Sequence, residues 1–370
     1  MNDRATLFLC GDVMTGRGID RILPYPGEPT LHEPSMDNAK DYVKLAEAVN
    51  GPINRPVEFS YIWGDGLDEF YREMPRAKII NLETAITRSE TYWRTKDIHY
   101  RMTPENIGCL TAAGIDCCIL ANNHMLDWGD TGLLDTLKAL DRAGIKHAGA
   151  GMNLRDARSP AILDIGAGMR VIVFSLGSTT SGIPLAWSAE EDRPGLNVIE
   201  TQGRDPIRAL ARQIDSVKRE RDIVIISLHW GGNWGYEISS AQKKLAHRLV
   251  DETGVSILHG HSSHHVKAIE VYKERLILYG CGDFLNDYEG ISGDESFRGD
   301  LGLMYFADVI PSTGQLLALR MIPTQIRRFR INHASDPDSQ WLENILNREG
   351  KRFRTWVKRS ASNTLTLQWS

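Results

Sequence analysis

The feature that most restricts this chain is a series of short apolar runs, each cut off by polar residues, at 7–10, 77–81, 117–121, 171–175, 223–227 and 255–258. Runs of four or five residues rich in Val, Ile and Leu have the length of buried strands, too short for helices. Between and after them lie amphipathic helical patterns at 104–113, 132–143, 205–219 and 240–252. Strands alternating with helices predict an α/β architecture with substantial parallel pairing. Asp205 before Pro206 reads as a helix cap with a first-turn proline, and Ser240 as another cap. After residue 265 the pattern turns to strand-like alternation (266–271, 275–280, 303–309, 316–323), expected to form hairpins that complete a second sheet.

The boundaries follow from the same reading. Residues 1–335 are expected to form a single domain, with a proline-rich insertion at 22–56 that contains a helical stretch at 42–50 and covers the site. Residues 336–370 are expected to be a C-terminal surface helix, placed at 340–357, and a peripheral Ser/Thr-rich tail. Tryptophans 63, 128, 230 and 234 read either as aromatic surface near the mouth of the site or as core residues.

Composition narrows the class. The 370 residues are 42% hydrophobic and 25% charged, with a formal net charge of −5, which gives no long-range attraction to nucleic acid or anionic membrane. Five scattered cysteines in apolar surroundings do not make a disulfide framework. No run approaches the ~18 apolar residues of a membrane span, and the N-terminal residues lead directly into a strand pattern without the apolar region of a signal peptide. The expectation is a soluble, cytoplasmic enzyme with no nucleic-acid or membrane partner.

Polar residues follow the buried runs at once: Gly11-Asp12, Leu82-Glu83, Asn122-Asn123-His124, Leu228-His229 and His259-Gly260-His261. Parallel sheets bind ligands beyond the carboxyl ends of their strands, so these five ends converge on one site. Six of the eleven histidines (124, 229, 259, 261, 264 and 265) fall in these segments or within four residues after the last, and imidazoles so dense call for a metal or for acid–base partners. Asp12, Glu83, Asn123, His229 and His261 form a mixed oxygen and nitrogen donor set. Ca, Mn or Mg suits the oxygens, and Zn or Fe suits the imidazoles. His124 is placed for proton transfer with Asp127 orienting its ring, and one of His264 and His265 reaches the site. Asp283 follows another apolar run and is expected to pair with one histidine of the cluster; Asp300 reads as a turn residue. Neither a Gly-x-x-x-x-Gly-Lys phosphate loop nor a Gly-x-Ser-x-Gly nucleophile elbow is present.

In series, Gly11-Asp-Val-Met14, Asn81-Leu-Glu83, Ala121-Asn-Asn-His124 with Asp127 and Gly129, His229-Trp and Gly260-His-Ser-Ser-His264 resemble the CapA family of poly-γ-glutamate capsule synthesis. That family is similar to the calcineurin-like metallophosphoesterases. The resemblance implies a four-layer α/β/β/α sandwich of two facing mixed sheets flanked by helices, with a divalent metal ion at the strand ends. It casts Asp12, Glu83, Asn123, His229 and His261 as metal ligands, His124 as the phosphatase proton donor and His264 as the last histidine of the final motif. The chain departs from the phosphatase pattern at Met14, Met125 and Glu83 and in a final motif one residue longer. Those departures weaken a two-metal clamp and favour a single cation. The function expected from these residues is Cα epimerisation of a peptide residue by His124, His264, Asp127 and Asp283. The alternatives are a metallophosphoesterase-type or poly-γ-glutamate-related hydrolase and a non-catalytic protein that binds an acidic peptide or glycan.

Overall fold

The computed structural model describes residues 4–201, 203 and 205–370. Two mixed sheets face each other. The larger has ten strands, and its central parallel section sets Ala5–Val13 beside Ala77–Leu82, Cys117–Ile119 and Lys146–Ala148. The six-stranded sheet carries Arg170–Gly177, Asp222–His229, Ile257–His261 and Arg275–Leu278 in parallel.

Strand side chains alternate between faces, so each sheet contributes to two different cores. Leu7 and Leu9 meet Ile223 and Ile225 between the sheets, whereas Phe8 and Cys10 point outward. There they are covered by helices Ala39–Asn50, Gly66–Glu73 and Gly129–Ala143, through Tyr42, Val43, Phe70, Leu133 and Leu137. On the far side Val224, Ile226 and Leu228 pack under helices Pro206–Val217 and Ser240–Thr253. Three stacked cores make four layers, the α/β/β/α sandwich expected from the resemblance.

Several boundaries differ from the sequence reading. The cap of helix Ser240–Thr253 is Ser239, which closes a capping box with Gln242. Residues 104–113 form a 3₁₀ turn, Pro104–Ile107, running into the short helix Gly108–Ala112. The alternating segments after residue 265 divide between the sheets: Ile269–Tyr272 and Arg275–Leu278 join the smaller one, and Leu301–Val309 and Leu316–Ile326 join the larger.

The C-terminal reading is corrected more substantially. The helix is Asp336–Gly350, and Leu342, Ile345 and Leu346 bury its apolar side in the core between the sheets. Thr355–Arg359 and Leu365–Trp369 then form a hairpin that extends the ten-stranded sheet, so residues 355–369 are sheet and not tail. Val357, Leu365 and Leu367 face the core there with Trp369 partly buried against it, too sparse an inward apolar set to stand out among Ser and Thr. Among the described residues no helix is long and apolar enough to cross a membrane.

Ile225 is fully buried between the sheets. Ile225→Ala is expected to cost about 2–5 kcal/mol, read as a lower urea midpoint at unchanged m-value.

Candidate metal and acid–base site

Asp12 is the penultimate residue of Ala5–Val13, paired in register with Asn81 on one side and Asp283 on the other. Gly11 permits this crowding, because a Cβ there would lie 1.7 Å from the Gly282 carbonyl oxygen. Glu83 directly follows Ala77–Leu82, and Asn123 and His124 lie in the turns after Cys117–Ile119. His229 and His261 end adjacent parallel strands in register.

The structure brings all five expected donors together. Asn81 Nδ2 donates to Asp12 Oδ1 at 2.7 Å and to Glu83 Oε2 at 3.1 Å. His229 Nε2 lies 2.9 Å from Asn123 Oδ1 and 4.0 Å from Glu83 Oε1. His229 Nδ1 and His261 Nδ1 are 2.7 Å apart, and His261 Nδ1 is 3.9 Å from Asp12 Oδ1. Ser262, a non-glycine residue at φ +99°, donates its N–H to Asp12 Oδ2 at 3.3 Å. Backbone strain of this kind persists where surrounding contacts fix it.

Burial pushes Asp12 up to about 7, with the Asp283 charge adding to the effect. Glu83 is raised well above its ordinary value by burial and then by Asp12 and Asp283. His229 and His261 are held well below theirs by burial first and by neighbouring imidazoles second. Carboxylates and neutral imidazoles gathered out of water are short of positive charge, which a divalent cation would supply. Ligand atoms of Asp12, His229 and His261 all lie within 4.8 Å of one another, as do those of Asp12, His264 and Asp283. The residues therefore fit a cation, and Asp12 belongs to both groups. Met14 and Met125 bring no hard donor: Met14 is buried with its sulfur 3.5 Å from the Tyr288 hydroxyl, and Met125 is packed in the outer core.

Two histidine–aspartate pairs flank these donors. His124 Nδ1 is 2.7 Å from Asp127 Oδ2, which leaves Nε2 turned toward Glu83 Oε1 at 3.8 Å. His264 Nδ1 is 2.8 Å from Asp283 Oδ1, whose second oxygen accepts from Asn286 at 2.7 Å. Their environments push them apart. Burial lowers His124 strongly, helped by Lys96 and Arg17. Burial also opposes charge on His264, but Asp283 and Asp12 outweigh it and its pKa rises. Asp127 is pushed up to about 6 by burial against the pull of Lys96.

The sequence reading missed Lys96. Its ammonium donates to Asp127 Oδ1 at 2.5 Å and to the Asn123 carbonyl, and lies 2.9 Å from His124 Nδ1. It reaches the site from an irregular segment without periodicity, so no spacing signal marked it. Tyr100 was missed as well; its N–H donates to Asp127 Oδ2 at 2.7 Å and its ring packs on His124 at 4.3 Å. His265 stacks against Phe297 and Trp234, with its Nδ1 3.0 Å from the Val266 carbonyl oxygen.

A cavity of about 810 Å³ opens beside His264, Tyr100 and Tyr288. Ser35, Tyr42, Val49 and Asn50, from segment 22–56, form one of its walls. The tryptophans divide between the two readings: Trp63, Trp128 and Trp230 are core residues and Trp234 alone of the four lines the cavity. Asp300 also lines it, held by Arg298 at 2.8 Å and Gln325 at 2.9 Å.

Residues 6–288 match the family described as bacterial capsule synthesis protein PGA_cap. The chain belongs to this family. Within PGA_cap relatives, it is 45% identical over 366 residues to the "Probable polyglutamine synthesis accessory protein" of Mycobacterium tuberculosis, covering 99% of this chain and 96% of that protein. It is 27% identical over 289 residues to the "Capsule biosynthesis protein CapA" of Bacillus anthracis, covering 77% of this chain and 61% of that one. The "PGA biosynthesis protein CapA" of Bacillus subtilis is also 27% identical, over 279 residues, 75% of this chain and 62% of the relative.

In this PGA_cap chain the Asp12 shift has a thermodynamic consequence. A folded-state pKa of about 7 against the ordinary 3.8 means that the folded state holds the proton more tightly. In metal-free buffer, wild-type stability relative to Asp12→Asn should therefore fall as pH rises from about 4 to about 7, then level off. Urea unfolding of both proteins with chelator measures it, and added Mn²⁺ should restore the wild type selectively.

Proposed function

We propose that this chain is a divalent-cation-dependent accessory enzyme of polyglutamate-type polymer synthesis that moves a proton at the Cα of a residue in an acidic peptide chain. The observation that carries the reading is the presence of two His–Asp pairs, His124–Asp127 and His264–Asp283, beside one cation-binding donor set. Epimerisation needs a base on one face of the carbon and an acid on the other. The opposite pKa directions support that division, with His124 kept neutral as base and His264 biased toward the protonated acid.

A cation held by Asp12, Glu83, Asn123, His229 and His261 would supply Lewis acidity toward the carbonyl next to that carbon. Asp127 fixes the His124 ring through Nδ1 so that Nε2 is the nitrogen free to take the proton, and Lys96 anchors Asp127. Asp283, steadied by Asn286, holds His264 in the same manner, leaving its Nε2 to return a proton. The cavity beside His264 is large enough for several residues of an extended chain, and Trp234, Tyr100 and Tyr288 give it a wall that sheds water. The names of the mycobacterial and Bacillus relatives support the polymer context.

Hydrolysis is the second reading, favoured by the same mixed donor set, which suits activation of a water. Incubation of Mn²⁺- or Ca²⁺-loaded protein with oligoglutamates in D₂O separates the two. Cα deuterium without shortening of the chain is the expected result, and shortening or phosphoester turnover without exchange would transfer the assignment to a hydrolase. Neither activity in a metal-loaded sample would leave a binding protein. His124→Gln and His264→Gln should each lower exchange by about 10²–10⁴-fold without shifting the melting temperature downward.

A further inference from the structure

Ser227 and His259 are fully buried and face each other across two parallel strands, two residues before His229 and His261. The period of two puts all four side chains on one face. Neither residue enters the chemistry above, but their contacts determine which nitrogen of His261 is free.

The argument starts from an atom that can only accept. His259 Nε2 lies 2.7 Å from the Cys10 carbonyl oxygen, so Nε2 carries the proton and donates it. Among the described residues the other hydrogen-bond partner of this ring is the Ser227 hydroxyl, 3.1 Å from Nδ1. A buried imidazole without a carboxylate partner is neutral, so His259 Nδ1 is a bare lone pair that must accept from Ser227. Donation from Ser227 to the His259 carbonyl instead, at 3.4 Å, would leave that buried nitrogen without a donor. Ser227 has one proton, now committed, yet its oxygen also lies 2.8 Å from His261 Nε2. That nitrogen must then be the donor. His261 Nδ1 is left unprotonated, 3.9 Å from Asp12 Oδ1, and accepts from His229 Nδ1 at 2.7 Å, so that His229 Nε2 is itself an acceptor and the Asn123 side-chain amide 2.9 Å away turns its nitrogen to it.

We propose that Ser227 and His259 are positioning residues, anchored on the Cys10 carbonyl, that lock His261 in the Nε2–H tautomer and aim its Nδ1 lone pair at the cation site. Metal-binding histidines are commonly oriented by a partner on the second ring nitrogen. Here the partner is a neutral hydroxyl held by a second imidazole, so the ring is oriented without adding negative charge beside Asp12 and Glu83. The tautomer follows from hydrogen bonding alone; the effect on cation affinity rests on the cation site of the proposed function.

Long-range ¹H–¹⁵N correlation spectra of ¹⁵N-histidine-labelled, metal-free protein test the relay, with His261 assigned by loss of its signals in His261→Gln. The expected spectrum shows a protonated Nε2 and a bare Nδ1 for His261. Ser227→Ala should mix the two tautomers and weaken Mn²⁺ binding, measured by titration calorimetry, by at least about 10-fold. Ser227→Thr, which keeps the hydroxyl, should restore both. A protonated Nδ1 on His261 in the wild type, or an unchanged tautomer in a folded Ser227→Ala protein, overturns the relay. A wild type that shows the expected tautomer but takes up no Mn²⁺ keeps the relay and overturns the cation site.

Discussion

The dominant constraint in this molecule is electrostatic: Asp12 and Glu83 are carried below the surface at the carboxyl edges of parallel strands, where water cannot reach them. Isolated carboxylates in such a place would take up protons or forbid folding. Their surroundings answer with donors instead of cations. Asn81 spans both carboxylates, Asn122 supports Asn81 through its side-chain oxygen at 3.1 Å, and Ser262 adds a backbone N–H to Asp12. The formal positive charge nearest to the site, Lys96, is spent on Asp127 and the Asn123 carbonyl. A cation of the kind proposed would complete this arrangement.

How much of this was legible in the sequence depends on the type of signal. Apolar runs ending in polar residues gave the parallel strands and the placement of Asp12, Glu83, Asn123, His229 and His261, because strand length and period are local properties. That Asp283 meets the histidine cluster was legible from its position behind another apolar run, and the structure pairs it with His264. Lys96 and Tyr100 were not, since they arrive on an irregular segment whose course is set by packing of Trp93 against Trp187 and of Tyr100 against His124. The C-terminal hairpin was lost for a different reason. Its strands expose Trp356 and alternate apolar with Lys, Thr and Gln, so composition outweighed period.

The two halves of the site differ in rigidity. The donors on Ala5–Val13, Asp222–His229 and Ile257–His261 belong to strands buried on both faces, which fixes their spacing. The cavity side is built from the insertion and from the loop around Trp234, closed by Arg17, whose guanidinium is held by Glu33, Asp287 and the Tyr42 hydroxyl. Such a division keeps Asp12, His229 and His261 on the scaffold, and leaves His124, His264 and the cavity wall to loops.

The pairing partners of the first strand have one more implication. Ala5–Val13 lies between Ala77–Leu82 and the distant Asp283–Leu285 and Leu301–Val309. During synthesis its amino-terminal apolar stretch therefore waits, unpaired on one edge, until residue 309 has left the ribosome. Loop-closure entropy makes so non-local a pairing slow, and an uncovered edge of Leu7, Phe8 and Leu9 is prone to stick to other chains meanwhile. Completion of the ten-stranded sheet around Ala5–Val13 therefore depends on the carboxyl-terminal third of the chain.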